Sequence, residues 1–261
     1  MERAGNGQEI KKVLALDSSG LVASVAIVEE NGPESSLLAE YTVNYKKTHS
    51  QTLLPMLDEI VRMTELDLER IDAIAVAAGP GSFTGLRIGS AMAKGLGLAL
   101  DKPLVAVPTL DGLAYNLYGT QSLICPLMDA RRDQVYTGVY EFRGNRLERL
   151  EPPAAVDIRE IAEKLCGLGR DVIFLGDGVP VYRNRLEEIL TAEFQAAGRR
   201  YSFAPAHLNK QRAGAIGTLA LEYMREGRVQ TAAEHRPDYL RLSQAERERA
   251  AQEQAAEGQK P

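Results

Sequence analysis

Two stretches of this chain follow one plan. KVLALDSSGLVASVAIVEENG (12–32) and ICPLMDARRDQVYTGVYEFRG (124–144) each run apolar strand, aspartate, polar turn, alternating strand, charged turn, glycine. Asp17 to Gly32 and Asp129 to Gly144 share one spacing of fifteen positions. A repeated strand–hairpin–helix unit in 261 residues predicts two lobes of one design, an α/β chain rather than a single sheet. The competing account is coincidence between two hairpins.

The first unit reads as a strand meander over 13–43, followed by a helix over 48–63. Leu53, Leu54, Leu57, Ile60, Val61 and Met63 recur there at helical spacing. Pro55 lies inside the pattern and predicts a kink or a late start. A core strand at 71–77 runs into a glycine loop and a long helix, and 103–107 is one more strand. The segment 113–122 reads as the crossing between a first lobe, 10–112, and a second, 122–241. The second lobe carries a helix near 157–165, a strand at 172–175, a turn at 176–180 and then a helix to about 190. A helix at 211–226 is expected to pack back on the first lobe. The tail 243–261 holds almost nothing apolar and reads as a frayed helix or disorder.

Apolar residues make up 44% and charged residues 26%, the balance of a globular protein, with a formal charge of −5. A chain this acidic is a poor holder of nucleic acid by phosphate contacts alone, so a partner would supply the basic surface for any RNA. Arg131 and Arg132 form a basic pair, read as solvated surface or as an RNA or partner contact. Cys125 and Cys166 form no CxxC pair, which sets aside zinc and dithiol readings and fits thiols in a reducing compartment. The first residues carry no apolar signal segment and no apolar run reaches membrane length, so a cytoplasmic protein is expected.

The segment AVAAGPGSFTGLRIGSAMAKGLGLAL (75–100) holds six glycines. A strand, a GPGSFTG loop and a helix place free N–H groups at a helix start, which suits an anion. No Lys-Ser/Thr pair closes the loop, the dinucleotide fingerprint is missing, and Pro80 removes a donor. Within the helix, Gly89, Ala93 and Gly97 share one face. Each glycine costs roughly 1 kcal/mol against alanine in a helix interior, so the stripe needs a reason. Two reasons stand open: packing on the chain's own sheet, or an interface with another chain. Under the second, Ala93→Glu leaves a folded protein that no longer pairs; under the first, it unfolds.

With LALDSS (14–19), THSQTLLP (48–55), AGPGSFTGLRIG (78–89), KGLGLAL (94–100), VPTLDGLA (107–114), MDARRDQVY (128–136) and RPDYLR (236–241) in hand, the chain resembles the TsaB (YeaZ) family. That family supplies a subunit of the bacterial machinery for threonylcarbamoyladenosine in tRNA. The resemblance implies the two-lobed fold shared by actin, heat-shock chaperone ATPases and sugar kinases. It places Asp17, Ser18 and Ser19 at the first phosphate-or-metal turn of that fold, Asp129 at the second, and Gly176 and Gly178 where such folds approach adenosine. These are inherited positions, and no cofactor is expected.

The catalytic relative carries a metal-binding His-x-x-x-His where this chain reads Thr109 and Leu113. His49, His207 and His235 show no ligand spacing, so no metal site is expected. The resemblance therefore implies a non-catalytic subunit docking on the metal-bearing transferase (TsaD type), joined by an ATPase subunit (TsaE type). Alone it would form a homodimer, and it would meet tRNA only through the complex. The docking residues it implies are His49, Leu53, Leu54, Leu57, Phe83, Arg87, Gly89, Ala93 and Gly97. The alternative is an enzyme in its own right, a peptidase or a small-molecule kinase. The sequence shows no histidine with a serine or cysteine in a recognisable arrangement, and the loops around Asp17 and Asp129 are short for a kinase.

Overall fold

A computed structural model describes residues 11–45, 47–131 and 133–241. The first lobe opens with three antiparallel strands, β1 (Lys11–Asp17), β2 (Ala23–Asn31) and β3 (Glu34–Val43). Helix α1 (His49–Thr64) leads to β4 (Ala73–Gly79), which lies parallel to β1. Helix α2 (Phe83–Leu100) leads to β5 (Leu104–Pro108), parallel to β4. The sheet order is β3-β2-β1-β4-β5.

The second lobe repeats this. After α3 (Thr109–Tyr115) come the antiparallel strands β6 (Leu123–Asp129), β7 (Gln134–Arg143) and β8 (Arg146–Asp157). Helix α4 (Ile158–Leu168), β9 (Val172–Leu175), α5 (Val179–Ala196) and β10 (Tyr201–Phe203) follow, β9 and β10 running parallel to β6. The order β8-β7-β6-β9-β10 is that of the first sheet, strand for strand. This is the duplicated two-lobed fold of the actin class, and the repeat is real.

Each sheet is buried on both faces, so its central strands are almost continuously apolar. One face of the first sheet packs on α1 and α2 through Leu14, Leu16, Ile27, Leu53, Ile60 and Val76. Its other face takes α6 (Ala213–Arg225), through Ile216, Leu219 and Ala220. Gly217 lets α6 approach Val28 and Ala15. The second sheet packs on α4 and α5 through Ile161, Leu165, Leu186 and Leu190. Its inner face takes α3 through Leu110, Leu113, Ala114 and Leu117.

Some elements differ from expectation. Helix α1 has no late start: it runs from His49 through Pro55. The hydrogen bond Pro55 forgoes is the one to the carbonyl of exposed Gln51, which water can serve. Strand β8 is absent from the sequence reading because RLERLEPPAAVD carries charges and two prolines; it is an edge strand, where proline is tolerated. The stretch 229–241 returns to the first lobe: Gln230 bridges Leu104, and Ala232 joins the core under α2. The tail 243–261 lies outside the described residues. Among the described residues, no helix is long and apolar enough to cross a membrane.

Candidate functional site

Strand β1 ends at Asp17, and the chain turns sharply. The buried Asp17 carboxylate accepts from the Ser19 N–H at 2.9 Å and the Ser19 hydroxyl at 2.6 Å. The Ser18 hydroxyl donates to the Gly85 carbonyl at 2.8 Å, and the Ser82 N–H donates to the Ser19 carbonyl at 2.6 Å. A Cβ on Gly81 would lie 2.3 Å from the Ser19 carbonyl oxygen, and one on Gly85 2.1 Å from that of Ser18. The GPGSFTG loop is therefore glycine-rich because it is pressed against the Ser18–Ser19 turn. The Ser82, Gly85 and Leu86 amides are all bonded within the chain. The loop is a strut more than an anion cradle.

The second lobe copies this. After β9, Gly176 and Gly178 abut the end of β6: the Gly178 N–H donates to the Leu127 carbonyl at 2.9 Å, and a Cβ on Gly176 would lie 2.1 Å from the same oxygen. Gly79 and Gly176 both take φ values open to glycine, +131° and +109°. GPG after β4 and GDG after β9 are thus one device used twice. Asp129 is exposed; its carboxylate accepts from the Arg131 N–H at 2.8 Å. Arg131 is exposed and left-handed at φ 60°, while Arg132 lies outside the described residues.

Burial raises the Asp17 carboxyl to about 6 against the bonds from Ser19, with His49 lowering it and Asp177 raising it. Asp177 is itself raised by burial, with Lys210 and Asp129 in electrostatic reach. Asp177 thus lies within electrostatic reach of Asp17. Protonated Asp17 favours the folded state, and this contribution is complete below the ordinary 3.8 and lost as pH rises through about 6. The gap corresponds to at most about 3 kcal/mol. We expect Asp17→Asn to raise the melting temperature at pH 8 by several degrees and by little at pH 4, read by thermal melts across pH. An equal shift at both pH values would contradict this.

The nine residues expected at a docking surface divide sharply. Leu53, Leu57, Gly89, Ala93 and Gly97 are buried in the chain's own core. A Cβ on Gly89 would lie 2.4 Å from the Ser18 hydroxyl oxygen, and one on Gly97 2.4 Å from Leu104. The Gly89–Ala93–Gly97 stripe faces its own sheet. The spacing identified residues sharing a face but not which face points inward. His49 is half-buried and directed at the Gly20 carbonyl, 2.8 Å from its Nε2. Leu54 is 62% exposed, and Arg87 is also exposed. Phe83 is half-buried, with the Arg87 guanidinium 4.0 Å over its ring and Tyr239 4.6 Å away.

Two positions beyond the buried stripe lies another: Ala91, Gly95 and Ala99 are exposed at the same spacing. Leu98 beside them is 68% exposed. A Cβ on Gly95 would meet nothing within 4 Å, so internal packing gives no reason for that glycine. The sequence reading did not single out this outward stripe, although a second run of small residues at the same spacing marks it.

The fold also creates a serine–histidine pair across 145 positions. Ser90 Oγ lies 3.0 Å from His235 Nε2, and His235 Nδ1 lies 2.8 Å from the Gln230 amide. Ser90 is 4% exposed and His235 1%, so no carbonyl substrate reaches the hydroxyl. Burial, then the Lys94 ammonium, holds His235 below its ordinary 6.5. The pair clamps the stretch 229–241 onto α2, helped by Lys94 donating to the His235 carbonyl at 3.1 Å. Thr109 and Leu113 are buried in α3, and His207 is exposed. Cys125 is buried, its thiol pushed up to about 12, and Cys166 is free and half-buried.

Duplicated sheets, paired aspartate turns and two glycine struts define a two-lobed chain of the actin class whose first lobe exposes a helix with a small-residue stripe. The TsaD family model, described as tRNA N6-adenosine threonylcarbamoyltransferase, matches residues 36–249. The tRNA threonylcarbamoyladenosine biosynthesis protein TsaB of Bacillus subtilis is 33% identical over 90% of this chain and 96% of its own. Among solved structures, YeaZ from Pseudomonas aeruginosa superposes with a TM-score of 0.69 at 27% identity, over 88% of this chain and 100% of that one. Another Pseudomonas aeruginosa structure, described as similar to peptidase YeaZ, gives 0.73 at 28% identity over the same shares. The chain belongs to the TsaB family.

Proposed function

We propose that this chain is a non-catalytic subunit in the making of threonylcarbamoyladenosine in tRNA. It docks on the metal-bearing threonylcarbamoyltransferase, a relative of its own fold, and holds that subunit active. The modified adenosine lies beside the anticodon of tRNAs reading codons that begin with A. An ATPase subunit joins the assembly, and tRNA is met through the complex.

The observation that carries this reading is the outward Ala91–Gly95–Ala99 stripe of α2 with Leu98 exposed on the same helix, and Leu54 exposed on α1. Small residues let a second helix approach closely, and the exposed leucines supply apolar area to bury. In the absence of the transferase the same face pairs with a second copy. Thr109 and Leu113 support the non-catalytic part: they stand buried where the catalytic relative carries two imidazoles.

Affinity purification of this chain from its own host, with mass spectrometry of what it brings down, tests the proposal. Recovery of a His-x-x-x-His relative at near-equal stoichiometry is the expected result. Recovery of the homodimer alone under gentle conditions would remove the main support. Saturable ATP hydrolysis by the purified chain, lost in Asp17→Ala, would replace the proposal with an enzyme reading.

A further inference from the structure

We infer that Asp111 rivets the two lobes at one angle and makes the helix that bears it a hinge lock. The inference rests on the lobe junction and not on the docking proposal. Asp111 lies on α3 between Thr109 and Leu113 and is 4% exposed. Its Oδ1 accepts from the Tyr140 hydroxyl at 3.1 Å and from Arg149 Nε at 3.0 Å. Its Oδ2 accepts from Arg149 Nη2 at 2.5 Å and from the Tyr223 hydroxyl at 2.8 Å. Four donors from three side chains thus satisfy one buried carboxylate.

The origin of those donors makes this a rivet. Tyr140 and Arg149 belong to β7 and β8 of the second lobe. Tyr223 belongs to α6, which is fixed to the first lobe. The start of α6 is held there by the Ala213 N–H donating to the Ser24 hydroxyl at 2.9 Å, the Gly214 N–H donating to Glu40 at 2.9 Å, and an Arg212–Glu40 ion pair. So one carboxylate joins the α6 side of the first lobe to the second sheet. Opening the lobes would take the Tyr223 hydroxyl from it while Tyr140 and Arg149 stay, and a buried carboxylate short of a donor is costly.

The surroundings reinforce the joint. Arg146 on β8 pairs with Glu226 after α6 at 3.2 Å, and the Arg228 guanidinium stacks 3.3 Å over the Tyr223 ring. The Asn116 amide donates to the Leu208 and Lys210 carbonyls at 3.1 and 2.7 Å. Below them Leu110, Leu113, Ala114 and Leu117 are inserted into the second lobe's inner face. The cavity of about 430 Å³ at this joint is lined by Asp111, Arg146, Arg149, Glu222, Tyr223 and Arg228. Its arginines and acids largely satisfy one another, which suits a fastening better than a ligand site.

Hydrogen–deuterium exchange on the full chain tests this. In Asp111→Asn we expect peptides covering α3 and β7–β8 to exchange at least about tenfold faster, with α1 and β2 peptides unchanged. Small-angle scattering of the same variant should show a larger radius of gyration. Unchanged exchange at α3 and β8, or a uniform rise through both lobes, would overturn the inference. Should Asp111→Asn fail to fold, Tyr223→Phe removes one donor and leaves the ion pair. It should give a smaller rise at the same peptides, and no rise there would equally overturn the inference.

Discussion

Ala93→Glu is expected to unfold this protein, with a loss of at least about 4 kcal/mol. Ala93 is 0% exposed and sits in the cluster of Leu14, Leu16, Val76 and Leu104. The helix lies close to the sheet there: Gly89 is limited by the Ser18 hydroxyl and Gly97 by Leu104, each 2.4 Å from where a Cβ would stand. A glutamate at this position asks for volume the core lacks and brings a charge into aliphatic surroundings. Both penalties act in the same direction, so the loss exceeds that of an ordinary core truncation. Solubility on expression and urea denaturation read the result. A soluble, fully folded variant with native-like denaturation would show that this face of α2 does not lie on its own sheet.

This outcome reverses what the docking reading expects of the stripe, and the reason is physical. A repeat at every fourth residue states that Gly89, Ala93 and Gly97 share a face. It carries no sign for inside or outside. Both faces of α2 bear small residues, and the tertiary fold assigns the inward one to the sheet. The duplicated plan was legible for the opposite reason. An apolar strand ending in aspartate and a hairpin of fixed spacing are local, and they appear as β1–β2 and β6–β7. Strand β8 was hidden because an edge strand tolerates Pro152 and Pro153 and the charges around them. The Ser90–His235 pair and the donors to Asp111 were hidden because they join residues 145 and up to 112 positions apart. No periodicity reports contacts of that range.

Gly95→Glu is the complementary case: the fold survives and pairing is lost. Gly95 is exposed on α2, and a Cβ there meets nothing within 4 Å. Replacing a helical glycine with a good helix former gains about 0.5–1 kcal/mol, so the melting temperature should hold or rise slightly. Docking is another matter. Helices that pack through small residues approach to roughly 8–10 Å, and a long charged side chain in the seam must be desolvated or must push the partner away. We expect affinity for the transferase subunit to fall by about 30-fold or more, the equivalent of losing one interface hot spot of about 2 kcal/mol. Homodimerisation should weaken alongside. Gly167→Glu provides the control, because Gly167 is also an exposed helical glycine with nothing within 4 Å, placed on α4 of the second lobe. Both variants carry the same new charge on an exposed helical site, so both should stay folded, and they should differ in pairing. Titration calorimetry against the transferase subunit, with analytical ultracentrifugation for the homodimer, measures the difference. Equal affinity in the two variants would take the outer face of α2 out of the interface, and the proposed docking surface with it.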